Sequence, residues 1–292
     1  MASNIPEETS SFVGRKAELA RIEHTLATHR LTTLTGTGGV GKTRLAVRAA
    51  RQAAARHRDG AWWADLSPLH DDGLLIATVS DAVGLSDHTL RMPIDALCEW
   101  LVDKELLLVL DSCEHLRPAC AHLLGEILTT SPGLTVLATS RQPLDIRGER
   151  VVEVDPLPVE GAADALTLFR DRAAAAAPEP ALDEPANAEA AAEICRRLEG
   201  IPLAIELAAG ALGRDTVEQV AARIRSRFDV LADASLWPPR HRTLRTAIGW
   251  SHELCTPLER LLWARLTVLR GDFDEAVARE VCAGGPLTAD GV

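Results

Sequence analysis

Residues 36–43 read Gly36-Thr37-Gly38-Gly39-Val40-Gly41-Lys42-Thr43, directly after a short apolar run and at the head of a stretch with helical apolar spacing. Holding a polyphosphate requires that order. Glycines let the backbone wrap closely and turn its N–H groups inward, and the start of a helix adds a dipole that favours negative charge. Gly36, Gly38, Gly39, Val40 and Gly41 supply the cradle. Lys42 is then placed to reach the β- and γ-phosphates of a nucleotide, and the Thr43 hydroxyl to ligate Mg²⁺. The chain has three lysines, at 16, 42 and 104, against 28 arginines. A lysine at this position therefore stands out.

A second group lies downstream. Residues 106–110 are apolar at every position and are followed by Asp111. A carboxylate at the C-terminal end of a buried strand faces the crevice where open α/β sheets take ligands. Asp111 would there complete, through water, the Mg²⁺ site begun by Thr43. Glu114 and His115 follow within one turn. Either is able to position an attacking water, and Glu114 has the chemistry of a general base. A helix cap or a surface position explains them nearly as simply. After a further apolar run come Thr139, Ser140 and Arg141. Arg141 at a strand end is suited to read a γ-phosphate by charge-assisted hydrogen bonds, with Thr139 or Ser140 orienting water. A surface arginine opening a loop is the plainer alternative.

These groups need a scaffold. Between 31 and 154, short apolar runs alternate with helical patterns, which predicts strand–helix units and a mostly parallel sheet. Strands are expected at 31–35, 61–65, 106–110, 134–139 and 151–154, with helices at 43–57, 71–83, 93–103 and 116–130. Arg44, Arg48 and Arg51 on the first of these helices read as a solvated face. From Pro156 onward the strand patterns stop. Helices are expected at 159–173, 187–199, 202–213 and 215–227, with a break at Gly200-Ile201-Pro202 and a loop at 178–185 rich in proline and acid. Beyond Trp237-Pro238-Pro239, helices near 242–254, 257–268 and 273–282 follow. The chain thus divides at about 1–155, 156–236 and 237–292.

The 292 residues are 47% apolar and 25% charged, enough for one large folded unit or two to three smaller ones. No apolar run approaches the roughly 20 residues that cross a bilayer, and the first residues form neither a basic nor an apolar leader. A cytoplasmic protein without membrane contact is expected. The formal charge of −11 disfavours direct DNA binding, because neutralising phosphates needs a basic surface. One local exception is 221–250, where six arginines face only Asp229 and Asp233. The cysteines at 98, 113, 120, 195, 255 and 282 form no CxxC pair or metal-ligand spacing and suit reduced thiols. With no guanine-selecting Asn/Thr-Lys-x-Asp segment in the sequence, ATP or ADP is favoured over GTP.

In order, Phe12-Val13-Gly14-Arg15, residues 36–43, the LLLVLDSCEH of 106–115, Thr139-Ser140-Arg141 and Gly200-Ile201-Pro202-Leu203-Ala204 resemble the signal-transduction ATPases with numerous domains (STAND). More narrowly, the chain is similar to the NB-ARC-type ATPases of actinobacterial transcriptional regulators. The resemblance spans about residues 10–283. It implies an α/β fold: a P-loop NTPase parallel sheet of strand order 5-1-4-3-2 flanked by helices, an all-helical lid domain, and a partial winged-helix-like segment. It also implies that Val13 and Arg15 contact adenine and ribose, with Glu18 in support, and that Pro202 packs on adenine from the helical side. The segment from Arg240 to Trp250 resembles the linker and first helix of the winged-helix-like unit, which the family uses for intramolecular control. The chain departs from the family pattern at Ser112, where Asn or Asp is frequent. It also stops before the family's histidine-containing motif, and so reads as an NTPase core separated from its sensory and output parts, or as a shortened relative.

The leading expectation is an ATP/ADP-binding regulatory switch, in which nucleotide exchange and slow Mg²⁺-dependent hydrolysis move the helical lid. Its partners would be a regulatory protein, or sensory and output domains outside this chain, and further copies of itself in a nucleotide-dependent assembly. A scaffold that holds nucleotide without hydrolysis is a second reading, kept open by Ser112 and Glu114. A small-molecule kinase is the third. It needs an acceptor pocket and lid segments that the sequence does not display.

Overall fold

A computed structural model describes residues 3–85, 93–160, 164–176, 182, 184–226, 255–269 and 273–288. The apolar runs form β1 (Leu31–Thr35), β2 (Ala61–Asp65), β3 (Leu107–Asp111), β4 (Thr135–Thr139) and β5 (Arg150–Glu153). They pair in parallel in the order β2-β3-β4-β1-β5. Read from the far edge, this is the expected 5-1-4-3-2.

The middle strand shows why its sequence is so uniform. Every residue of β3 is buried. Leu108 and Leu110 pack with α3 (Leu75–Ala82), α4 (Pro93–Leu101) and α5 (Arg117–Thr130), whereas Leu107 and Val109 pack with α1 (Lys16–Thr28) and α2 (Lys42–Ala53). A strand covered on both faces has no polar side to offer. Helix α1 was not among the expected elements, although Leu19, Ile22 and Leu26 recur at helical spacing along it and the last two are buried. Helix α2 is shorter than expected: it gives way at Ala54–Arg56 to a 3₁₀ turn, the usual tightening at a helix end. From β1 the chain passes through α2 to the distant edge strand β2. A crevice therefore opens over the C-terminal ends of the central strands.

After β5 come α6 (Asp164–Ala176), α7 (Pro185–Arg197), α8 (Pro202–Gly210) and α9 (Val217–Ser226). They close on their own core, which includes Phe169, Ile194, Ile205 and Ile224. Pro202 opens α8, where its missing N–H is no loss. The preceding Gly200 has φ +68°, and a Cβ there would lie 2.0 Å from the carbonyl oxygen of Leu157. The amide of Leu157 donates to Gly200 O at 2.9 Å, so the two stretches cannot separate to make room. Of 237–292, the described parts include α10 (Pro257–Leu266), started by a Thr256–Glu259 capping box, and α11 (Glu275–Cys282). The helix expected at 242–254, the arginines at 240–245 and most of the 178–185 loop lie outside the described residues. None of the six cysteines is in a disulfide. Among the described residues no helix is long and apolar enough to cross a membrane.

Two glycines should respond in opposite directions. Gly200→Ala should cost about 2–4 kcal/mol of stability, from the clash and the left-handed backbone together. Gly125→Ala, inside α5 with open space around the added carbon, should gain about 0.5–1 kcal/mol. Urea unfolding followed by circular dichroism measures both.

Candidate functional site

Strand β1 delivers the chain into the loop at 36–41. Gly36, Gly39 and Gly41 have φ of +144°, +81° and +99°. A Cβ at Gly36 would meet Val154 O at 2.6 Å, and one at Gly39 would meet Leu203 Cβ at 2.9 Å. Glycine is thus needed at both for space as well as for backbone freedom. Helix α2 starts at Lys42, and its first-turn amides, which have no partner within the helix, face the loop. Lys42 Nζ donates to Gly36 O (2.7 Å) and Thr37 O (2.9 Å), which holds the ammonium over the loop.

The second group converges on the same place. Thr43 Oγ1 donates to Asp111 Oδ1 at 2.9 Å, and Thr139 Oγ1 donates to the same oxygen at 2.6 Å. The Thr139 hydroxyl also accepts the Ser112 amide at 2.9 Å. Thr139 therefore braces the carboxylate in this arrangement, a role distinct from the water-orienting one considered for it. Asp111 is 4% exposed. Burial foremost, with the Asp65 and Glu114 charges adding, pushes its carboxyl up to about 6 against the Thr139 and Thr43 hydrogen bonds. Ser112 adopts φ +67°, an uncommon conformation for a residue with a side chain. The hydroxyl of Thr43 beside the carboxylate of Asp111 is an oxygen donor set of the kind Mg²⁺ takes. Among the described residues no three His, Cys, Asp or Glu side chains form a metal cage.

Glu114 and Arg141 are not surface groups. Their side chains are 12% and 17% exposed, and Arg141 Nε lies 3.4 Å from Glu114 Oε1. Both line a cleft of about 130 Å³ together with Lys42, Thr43, Ser112 and Thr139. Its remaining wall comes from the helical unit. The Leu203 amide donates to Gly39 O at 3.1 Å, while Pro202 and Glu206 line the cleft beside Arg44.

The segment before α1 runs between the loop and the helical unit. Arg15 is 6% exposed. Its Nη2 donates to Val40 O at 3.1 Å, and its Nη1 pairs with Glu18 at 2.6 Å. Burial raises the Glu18 carboxyl, but the Arg15 partner prevails and holds it below its usual value. Val13 packs on the helical core. A Cβ on Gly14 would sit 2.0 Å from Asp164 Oδ2. Of the arginines expected on a solvated face, Arg51 is exposed and Arg44 and Arg48 are partly covered, and all three have partners. Arg44 bonds Ser10 O, Ser11 O and Glu206, Arg51 bonds Pro6 O, and Arg48 pairs with Glu8 and stacks on Phe12. Sequence reasoning missed Arg44 and Glu206 as cleft residues. A signal existed: Glu206 lies one turn beyond Pro202 and so shares its face of α8.

No family model matches the chain. An uncharacterized protein of Mycobacterium tuberculosis is 39% identical to it over 275 residues, 94% of this chain and 69% of that protein. The chain belongs to the family of that mycobacterial protein. Another Mycobacterium tuberculosis protein, named as an HTH-type transcriptional regulator, is 43% identical to this family member over 263 residues. The match takes in 90% of this chain and 29% of the regulator, so the chain spans less than a third of that relative's length. Among solved structures, the Walker-type ATPase of Pyrococcus abyssi shares 15% identity with a TM-score of 0.53, over 76% of this chain and 75% of its own. That likeness concerns the fold alone and agrees with the P-loop NTPase architecture of sheet and helices.

Asp111 gives a pH-dependent expectation. Its folded value lies above the unfolded one, so the folded chain binds the proton more tightly. Ionisation then costs stability as pH rises from about 4 to above 6, and the cost is absent below about 4. In chelator-containing buffer, Asp111→Asn should be about 2–3 kcal/mol more stable than the wild type at about pH 8 and equal to it near pH 3.5. Urea unfolding across that range is the check.

Proposed function

We propose that the chain is a switch ATPase module of the STAND class and NB-ARC type. It binds ATP or ADP with Mg²⁺, hydrolyses ATP slowly, and couples the exchange to signalling or transcriptional control. One observation carries this reading: the helical unit donates a backbone hydrogen bond, from Leu203 to Gly39, into the phosphate loop itself. A ligand that engages the loop backbone acts on the anchor of the helical unit as well. Such a differential contact is what a ligand-driven shift between states requires. The relative named as an HTH-type transcriptional regulator supports a regulatory outlet. Its greater length supports sensory and output parts beyond the span of this chain, and nucleotide-dependent self-assembly is part of the same reading.

The residues divide the work. Amides of 38–43 and the Lys42 ammonium hold the β- and γ-phosphates, and Thr43 and Asp111 hold the metal. When bound, Mg²⁺ neutralises charge on the phosphate oxygens. Glu114 takes the proton of the attacking water. Arg141, paired with Glu114, stabilises charge on the γ-phosphate. Val13, Arg15 and Pro202 enclose the adenosine.

Calorimetric titration and phosphate release test this division. Lys42→Ala should weaken ADP binding by about 100-fold or more. Glu114→Gln should keep ADP affinity within about twofold and slow hydrolysis about 100-fold. Hydrolysis at the wild-type rate in Glu114→Gln would remove the general base. Tight binding with no turnover in the wild type would favour the scaffold, and phosphate appearing on an added small-molecule acceptor would favour a kinase.

A further inference from the structure

We infer that Glu206 determines specificity for the sugar of the nucleotide: its carboxylate, fixed by Arg44 and Arg172, accepts a ribose hydroxyl at the part of the cleft that it lines beside Arg44. This rests on the nucleotide-binding reading and adds a contact to it. Thr43 and Arg44 are successive residues of α2 and so point about 100° apart around the helix axis. Thr43 turns to Asp111. Arg44 turns to α8, where its Nη1 lies 3.2 Å from Glu206 Oε1. Arg172 on α6 brings its Nε to the same oxygen at 2.9 Å. Both bonds fall on Oε1; Oε2 takes no hydrogen bond from a described residue, and the side chain lines the cleft.

The consequence is an oriented acceptor. Two guanidinium groups pair with the carboxylate and hold its rotamer, which leaves its second oxygen aimed as an acceptor. With the phosphates over 38–43 and their terminal group at Asp111, the part of the ligand on the Arg44 side is the sugar. An ionised carboxylate only accepts hydrogen bonds. Ionised phosphate oxygens have no proton to give it, whereas a ribose hydroxyl has. A ligand without that hydroxyl leaves a charged acceptor unpaired, a loss of about tenfold or more in affinity.

The test compares ADP, 2′-deoxy-ADP and 3′-deoxy-ADP by calorimetric titration against the full chain and Glu206→Ala. The wild type should bind ADP about tenfold more tightly than one of the deoxy analogues, and Glu206→Ala should bind all three within about twofold. That ratio isolates the hydroxyl, because a general loosening of the helical unit weakens all three ligands together. Glu206→Asp, which keeps the charge but withdraws the oxygen by one methylene, should lose the ratio too and serves if the alanine variant does not fold. A wild type indifferent to both hydroxyls, or folded Glu206 variants that keep the wild-type ratio, would overturn the inference. Lys42→Ala separates the two levels. If it abolishes binding while the wild-type ratio is flat, only the sugar contact fails; if it leaves binding intact, the nucleotide reading fails and the sugar contact with it.

Discussion

The loop at 36–41 is gripped from two sides, and the rest of the molecule is arranged around that constraint. On one side a Cβ at Gly36 would meet Val154 O at 2.6 Å; on the other, Gly39 O accepts the Leu203 amide while Leu203 Cβ occupies the space a side chain would need. A backbone segment so enclosed can tolerate neither bulk nor a different trace. The loop's carbonyls are taken by Lys42, by Arg15 and, at Gly39, by α8, and its glycines keep the inner surface open. The geometry that makes a phosphate cradle is the same geometry that joins the parallel sheet to the helical unit.

Charge is distributed to serve that join. The chain is acidic overall, at −11, yet cationic side chains crowd the loop: Lys42 over its carbonyls, Arg15 on Val40 O, Arg44 at the start of α2, and Arg141 across from it. Arg15 is paired with Glu18, Arg44 with Glu206 and Arg141 with Glu114. Half-buried pairs of this kind contribute little net stability, because desolvation offsets much of their attraction. Their effect is to hold orientation, keeping cations and acceptors aimed into one cleft. Asp111 is the counter-case. Burial, with the Asp65 and Glu114 charges adding, pushes its carboxyl up to about 6 against the hydrogen bonds of Thr139 and Thr43.

The helical unit and the segment before α1 give this core its particular character. Phe12 is stacked under Arg48, Val13 joins the helical core, and Gly14 lets the chain pass within contact of Asp164. The segment thus touches α2, α6 and the loop in only a few residues. The family shared with the mycobacterial protein, at 39% identity over 94% of the chain, covers the sheet and the helical unit together.

Much of this was legible from residue order. The five strands fall within one residue of their predicted places, and β3 was the plainest of them, because a strand buried on both faces has little room for polar side chains. The phosphate loop was legible because its glycines and lysine answer to backbone chemistry local to eight residues. Helix α1 escaped notice, since only Ile22 and Leu26 of its weakly apolar face are buried. What only the tertiary structure decided are contacts between residues far apart in the chain. Thr139 on Asp111, Arg44 and Arg172 on one oxygen of Glu206, and Leu203 on Gly39 join positions 28 to 164 residues apart. Local pattern encodes which face of an element is apolar, but not which polar side chain meets which across a crevice. That depends on how sheet and helices pack, and packing is set by the whole core at once.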